Sequence, residues 1–327
     1  MSLDADHIVD RRRMRRKLTF WRVLAVLAAI VLIVGAALYW GADRSGLAAG
    51  PGTTIARVTI EGLIRANTQR TQALEQLGRS NVKAVIVQIN SPGGTVAGSE
   101  QLHDSLRKLK EQKPMVVVIE GLAASGGYIA AMAADHIVAQ QSSIVGSIGV
   151  LFQYPNVSEL LKTIGVKVEE IKSSPLKAAP NAFEPTSPEA RAAIEAIVMD
   201  SYAWFKNLVR ERRKLEGEAL DRVADGRVFT GRQAHQLKLV DAIGNEQTAI
   251  EWLAKEKQVD PKSPVRDYRL QPRFGDLPFL HVMTARLFDA IGLGAVARRL
   301  EDWGTIQAVE RLNLDGLLAL WHPPASN

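Results

Sequence analysis

The chain has 327 residues, with 41 Lys and Arg against 35 Asp and Glu, and it contains no cysteine. That length supports an α/β domain with a substantial hydrophobic core, so size rules out no enzyme class. The missing cysteines rule out a disulfide framework and a thiol nucleophile.

The basic excess is local. Residues 1–22 carry seven Lys and Arg, among them Arg11, Arg12, Arg13, Arg15, Arg16 and Lys17, against Asp4, Asp6 and Asp10, which leaves 34 basic and 32 acidic residues for the rest. A near-neutral remainder is not a nucleic-acid-binding surface, and no nucleic-acid partner is expected.

Val23 to Leu38 is an unbroken apolar run, with Phe20 and Trp21 before it and Tyr39 and Trp40 after it. At 1.5 Å per residue, 20–40 spans about 30 Å, the thickness of a bilayer core. Aromatic belts at both ends and the RRRMRRK cluster predict one transmembrane helix with a cytoplasmic tail, residues 1–19, and everything after Gly41 outside. A cleaved signal peptide is the competing reading, against which stand the length of the run and the lack of a clear small-residue cleavage site at its end. The Gly-rich stretch within 41–53 reads as a linker.

A βα alternation follows. Ile55–Ile60 is strand-like, Thr68–Leu77 helical, Val82–Ile89 a buried strand, 96–111 helical, Met115–Ile119 a strand, and 125–134 a helix of small residues. This is the pattern of a mostly parallel sheet. Short strands are expected at Ile137–Ala139, Ile148–Leu151 and Val166–Ile171, a helix at Val157–Ile164, and a long amphipathic helix from Ser187 to Glu216. Residues 268–327, with four prolines among apolar patches, read as a divergent helical extension.

Two Gly-rich junctions stand out. Asn90-Ser91-Pro92-Gly93-Gly94 reads as a tight turn where backbone N–H groups can approach a ligand. Gly93 and Gly98 have phosphate-loop spacing, but Ser99-Glu100 stands where Lys-Ser/Thr is required, which excludes a nucleotide loop. Ala123-Ala124-Ser125-Gly126-Gly127-Tyr128 puts a serine at a strand-to-helix junction beside small residues, where the Gly126 N–H favours charge on an attacked carbonyl oxygen. A serine nucleophile needs a base. The six histidines lie in the tails or in ordinary helix and strand patterns, and none has metal-ligand spacing, so no metal or organic cofactor is expected. Lysine remains, in Ile171-Lys172-Ser173-Ser174-Pro175-Leu176-Lys177. With a reference pKa of about 10.4, only about one lysine in 2,500 is neutral at pH 7, so a base lysine must be buried.

With NSPGG at 90–94, AASGGY at 123–128, GSIGV at 146–150, IKSSPLK at 171–177 and GRVFTGRQAHQLKLVDAIG at 226–244, the chain resembles bacterial signal peptide peptidases of the serine–lysine type, in the Clp-protease and crotonase superfamily. The resemblance covers about 54–250. It implies an α/β fold of repeated ββα units in a peptidase domain over 54–267. It further implies Ser125 as nucleophile, Lys177 as general base with Lys172 as substitute, Ser147 as the hydroxyl that orients the lysine, and the N–H groups of Gly94 and Gly126 as the oxyanion hole. The family commonly builds its site from neighbouring subunits, which implies a homo-oligomer. The expected substrates are signal-peptide remnants and other apolar peptides at a bacterial inner membrane, reached from an extracytoplasmic domain anchored in the bilayer through 20–40. Two other readings share the fold: acyl-CoA chemistry without a serine nucleophile, and an inactive membrane scaffold. The chain departs from the family at Pro175, near the base lysine.

Overall fold

The computed structural model describes residues 54–270 and 317–321, with Trp21, Arg22, Leu24, Val26, Ala28 and Val31 ahead of them. Those six are helical and exposed, and the rest of the expected transmembrane segment lies outside the described residues. Among the described residues no helix is long and apolar enough to cross a membrane. Residues 51–327 form one compact unit, separate from 1–50.

Within the larger unit, three long strands alternate with helices: β1 (Ile55–Ile64), α1 (Thr68–Arg79), β2 (Ala84–Thr95), α2 (Val96–Gln112), β3 (Met115–Ala124) and α3 (Gly126–Ala131). Then come β4 (His136–Ala139), β5 (Ile144–Gly146), α4 (Ser158–Thr163), α5 (Pro188–Arg213), α6 (Gly217–Val223), β6 (Val228–Thr230), α7 (Gly231–Gln236), β7 (Ala242–Ile243), α8 (Glu246–Lys257), β8 (Val265–Asp267) and β9 (Leu318–Leu320). They make one nine-stranded sheet in the order β6-β5-β3-β2-β1-β8, with β4 on β3, β7 on β4 and β9 on β2. Most pairs are parallel, but β2–β9 and β5–β6 are antiparallel, so the sheet is mixed.

Ala84–Val87 and Met115–Ile119 are wholly buried, because helices cover both faces of a parallel sheet and leave no position for a polar side chain. On one face, Ala249, Ile250 and Leu253 of α8 close over Ala84, Ile86, Val116 and Val118. α2 buries Leu102, Leu106 and Leu109, one stripe at helical spacing. Ser187 starts α5 by accepting a hydrogen bond from the Ala190 N–H at 3.1 Å, with Pro188 in the first turn.

The register of β1 on β2 shifts between Glu61 and Leu63, and that of β2 on β3 between Ile89 and Ser91. These irregularities divide each long strand into a core segment and an outer segment. The outer segments hold the two Gly-rich motifs, and they re-aim the chain there.

Several elements differ from expectation. NSPGG is not a turn but the outer half of β2, extended and paired with Leu63 and Ile64. The strand expected at Ile148–Leu151 falls earlier, at Ile144–Gly146, and Leu151 makes only an isolated bridge to Leu318. Val166–Ile171 has alternating polarity but no strand partner among the described residues. Leu318–Leu320, expected in a helical extension, is a strand; residues 271–316 lie outside the described residues.

Candidate active site

Ser125 joins the end of β3 to the start of α3, with φ 53° and ψ −116°. Its N–H donates to the Gly146 carbonyl at 2.8 Å, and its own carbonyl accepts from Tyr128 and Ile129 at 2.9 and 3.0 Å. The residue is 1% exposed. Its backbone is thus tied on both sides, while its hydroxyl makes no hydrogen bond with any described residue.

The glycines around it are close-approach positions. A Cβ on Gly126 would stand 2.2 Å from Ser99 Oγ, and one on Gly94 would stand 1.8 Å from the Ile64 carbonyl oxygen. Neither position admits a side chain, so α3 sits directly on the outer half of β2. A Cβ on Gly93 would lie 2.7 Å from the Gly126 nitrogen, which shows how near the two motifs come. The ring of Tyr128 is wholly buried and its hydroxyl donates to the Leu239 carbonyl at 2.7 Å, fixing α3 to the segment before β7. Burial holds that phenol protonated, pushing its pKa up.

Ala124 pairs with Gly146 across β3 and β5. Ser125 and Ser147 therefore follow directly on two paired residues. Ser147 also has a positive φ, 52°, and its N–H donates to the Arg227 carbonyl at 2.8 Å. It is 8% exposed, and its hydroxyl bonds to no described residue.

Lysine is different. Lys177 lies in an exposed turn, its N–H donating to Ser174 O at 3.1 Å, and no hydrogen bond or ion pair joins its amine to a described residue. No described residue buries it. Lys172 is paired with Glu170 at 2.7 Å and also with Glu184. The hydrogen bonds to Glu170 and then Glu184 raise its pKa above the ordinary lysine value and favour its protonated form.

Three histidines, His103, His136 and His235, lie among the described residues. His103 is buried in α2 and His136 stacks on Trp252 with ring centroids 4.8 Å apart. Burial lowers the pKa of both.

Sequence reasoning missed one part of the site. Residues Leu317–Trp321 run antiparallel to the outer half of β2, pairing Leu318 with Thr95, Ala319 with Gly94 and Leu320 with Gly93. The available signal was the aliphatic run Leu317-Leu318-Ala319-Leu320 with a small residue inside it.

A family model described as peptidase family S49 matches residues 107–260, which include Ser125, Ser147 and Lys177, and one described as Clp protease matches 63–145. The chain is 37% identical over 209 residues to a Synechocystis sp. protein named as a protease, covering 63% of this chain and 76% of that one. It is 36% identical over 179 residues to a protein of Enterococcus faecium named signal peptide peptidase SppA, covering 54% of this chain and 52% of the relative. With Protease 4 of Salmonella typhi it shares 35% over 201 residues, 60% of this chain and 32% of the relative. The chain thus spans about three quarters, half and a third of these relatives. The S49 match runs from within α2 to beyond α8 and includes the buried serine, and the chain covers three quarters of the Synechocystis relative: the chain belongs to peptidase family S49, on a Clp-protease-like α/β fold.

Proposed function

We propose that the chain hydrolyses peptide bonds through an acyl-enzyme on Ser125, with Lys177 as general base. The observation that carries this reading is the Ser125 junction itself: a buried serine in strained backbone, its hydroxyl bonded to no described residue, flanked by glycine backbones at Gly94 and Gly126. Neutral Lys177 takes the Ser125 proton as the oxygen attacks the peptide carbonyl. The N–H groups of Gly94 and Gly126 stabilise the oxyanion, and Ser147 orients the amine. The protonated lysine then gives its proton to the leaving nitrogen, and water repeats the sequence on the ester.

Lys177 is solvent-exposed within one chain, and a solvated lysine is a poor base at neutral pH. A neighbouring copy that covers it supplies the burial. Exposed apolar side chains on the same stretch support such an assembly: Leu160, Ile164, Val166, Val168, Ile171 and Phe183 all face solvent in one chain. Monomers rarely leave so many together.

The apolar run 20–40, its aromatic ends and the basic residues before it support a single membrane anchor with the peptidase domain outside the cytoplasm. The name of the Enterococcus faecium relative supports signal-peptide remnants as substrates. The test is a fluorophosphonate probe on the detergent-solubilised full chain, with casein and a signal-peptide analogue as substrates. The wild type is expected to be labelled and active, and Ser125→Ala to be unlabelled and slower by on the order of 10⁴-fold or more. Labelling that survives Ser125→Ala would sink the assignment.

A further inference from the structure

At the end of α3 opposite Ser125, the described residues form a cavity of about 580 Å³. Four cationic side chains line it, Arg212, Arg213, Lys214 and Lys238, beside two carboxylates, Asp135 and Asp241. Both carboxylates are already engaged. Asp241 accepts from Arg213 Nη2 at 2.7 Å and from the Ile137 N–H at 2.8 Å. Asp135 accepts from the Met115 N–H at 2.9 Å and faces Lys257 Nζ at 3.7 Å.

The other three cations have no carboxylate partner among the described residues. Arg212 donates through Nε to the Met132 carbonyl and through Nη2 to the Ala134 carbonyl, each at 2.7 Å. The amines of Lys214 and Lys238 bond to no described residue. Burial and then the neighbouring Arg213 charge lower the pKa of Arg212, as expected for a cation short of counter-charge.

Helix ends offset part of this charge. Arg212 bonds the carbonyls at the end of α3, Lys214 follows α5, and Lys238 lies just past α7. A helix C-terminus carries about half a negative charge, so three of them leave about one and a half positive charges, which a phosphate group at neutral pH matches. Lys214 and Lys238 also have positive φ, 52° and 59°. Glycine is the usual residue in that conformation at a helix end; here both positions carry an amine to the same cavity. Met132, Ile137 and Val240 supply apolar wall, enough to hold the body of a small molecule beyond its charged group.

We propose that this cavity binds a phosphate-bearing small molecule, with Arg212, Lys214 and Lys238 contacting the phosphoryl oxygens. A free phosphate compound and a phospholipid headgroup present the same chemistry, and experiment separates them. The site stands apart from the reading of Ser125 as nucleophile, yet it is joined to that region. Arg213 donates to the Lys238 carbonyl at 2.6 Å, and the next carbonyl, that of Leu239, holds the Tyr128 hydroxyl. An occupant therefore bears on the segment that fixes α3.

The test is calorimetric titration of the full chain in detergent, at constant ionic strength, with inorganic phosphate and with monomeric dihexanoylphosphatidylglycerol. Binding of at least one probe is expected, and the source is the headgroup if only the lipid binds. Lys214→Asn with Lys238→Asn, which keeps residues tolerant of positive φ, is expected to weaken binding by about tenfold or more. Lys83→Asn with Lys262→Asn removes the same charge from exposed positions outside the cavity and is expected to leave binding unchanged. Ser125→Ala is expected to bind as the wild type does. Equal weakening in the two double variants, undiminished binding in the cavity variant, or binding lost with Ser125 overturns the site. So does a wild type that binds neither probe, whatever its peptidase activity. A chain that binds phosphate through the cavity but hydrolyses no peptide leaves this inference standing and overturns the peptidase reading alone.

Discussion

Residues 123–134, around Ser125, are buried without exception, and the segment is held by β2, β5 and the Leu239 carbonyl. From 159 to 189, around Lys177, no residue is buried, although Ile171, Leu176 and Phe183 are large and apolar. The first region is completed by the chain's own core. The second exposes several large apolar side chains that no described residue covers. On the proposed chemistry, a chain holds its nucleophile ready by itself, while its base acquires the necessary low polarity only from a neighbour.

That contrast can be broken most directly at the base. Lys177→Ala is expected to lower kcat/KM by about 10²- to 10⁴-fold without moving the thermal midpoint, since its amine bonds to no described residue. Lys172→Ala, which removes only exposed ion pairs, is expected to change activity by a few fold at most. Equal losses in the two variants would remove Lys177 from its role. Next, Ile171→Glu puts a charge on the uncovered stretch: light scattering should show a smaller assembly, and activity should fall with it. A dissociated yet fully active chain would end the idea of a shared site.

The nucleophile side is sharpened by smaller effects on stability. Gly94→Ala forces a Cβ against the Ile64 carbonyl, and overpacking of this kind costs about 1–3 kcal/mol, readable as a lower denaturant midpoint. Tyr128→Phe removes the bond to the Leu239 carbonyl and is expected to cost about 1 kcal/mol by the same measurement. If either were neutral, the region around Ser125 would be looser than its burial indicates.

Legibility in the sequence follows the range of the interactions. The core strands were readable because VKAVIVQI and MVVVI are apolar on both faces, and the helix between them because Leu102, Leu106 and Leu109 recur at helical spacing. The strand-to-helix junction at Ser125 was readable from its small neighbours. NSPGG was misread as a turn because Pro and two Gly are local turn signals, whereas its extended form comes from partners at 63–64 and 318–320. Val166–Ile171 was misread in the opposite direction: alternation V-K-V-E-E-I suits a strand, but a strand also needs an edge to pair with, and no described strand offers one. The aliphatic run at 317–320 could mark a strand, but its partner lies more than 200 residues earlier, which no local pattern locates.

The backbone of Ser125 has a further consequence. At φ 53° and ψ −116°, an L-residue is held where glycine would rest without strain. On the proposed chemistry the nucleophile is held in strained backbone, so durability and reactivity are opposed at this one site. Ser125→Gly, with no hydroxyl left to react, is expected to melt later than the working chain by about 1 kcal/mol of added stability. Selection for heat resistance alone would favour erasing the nucleophile.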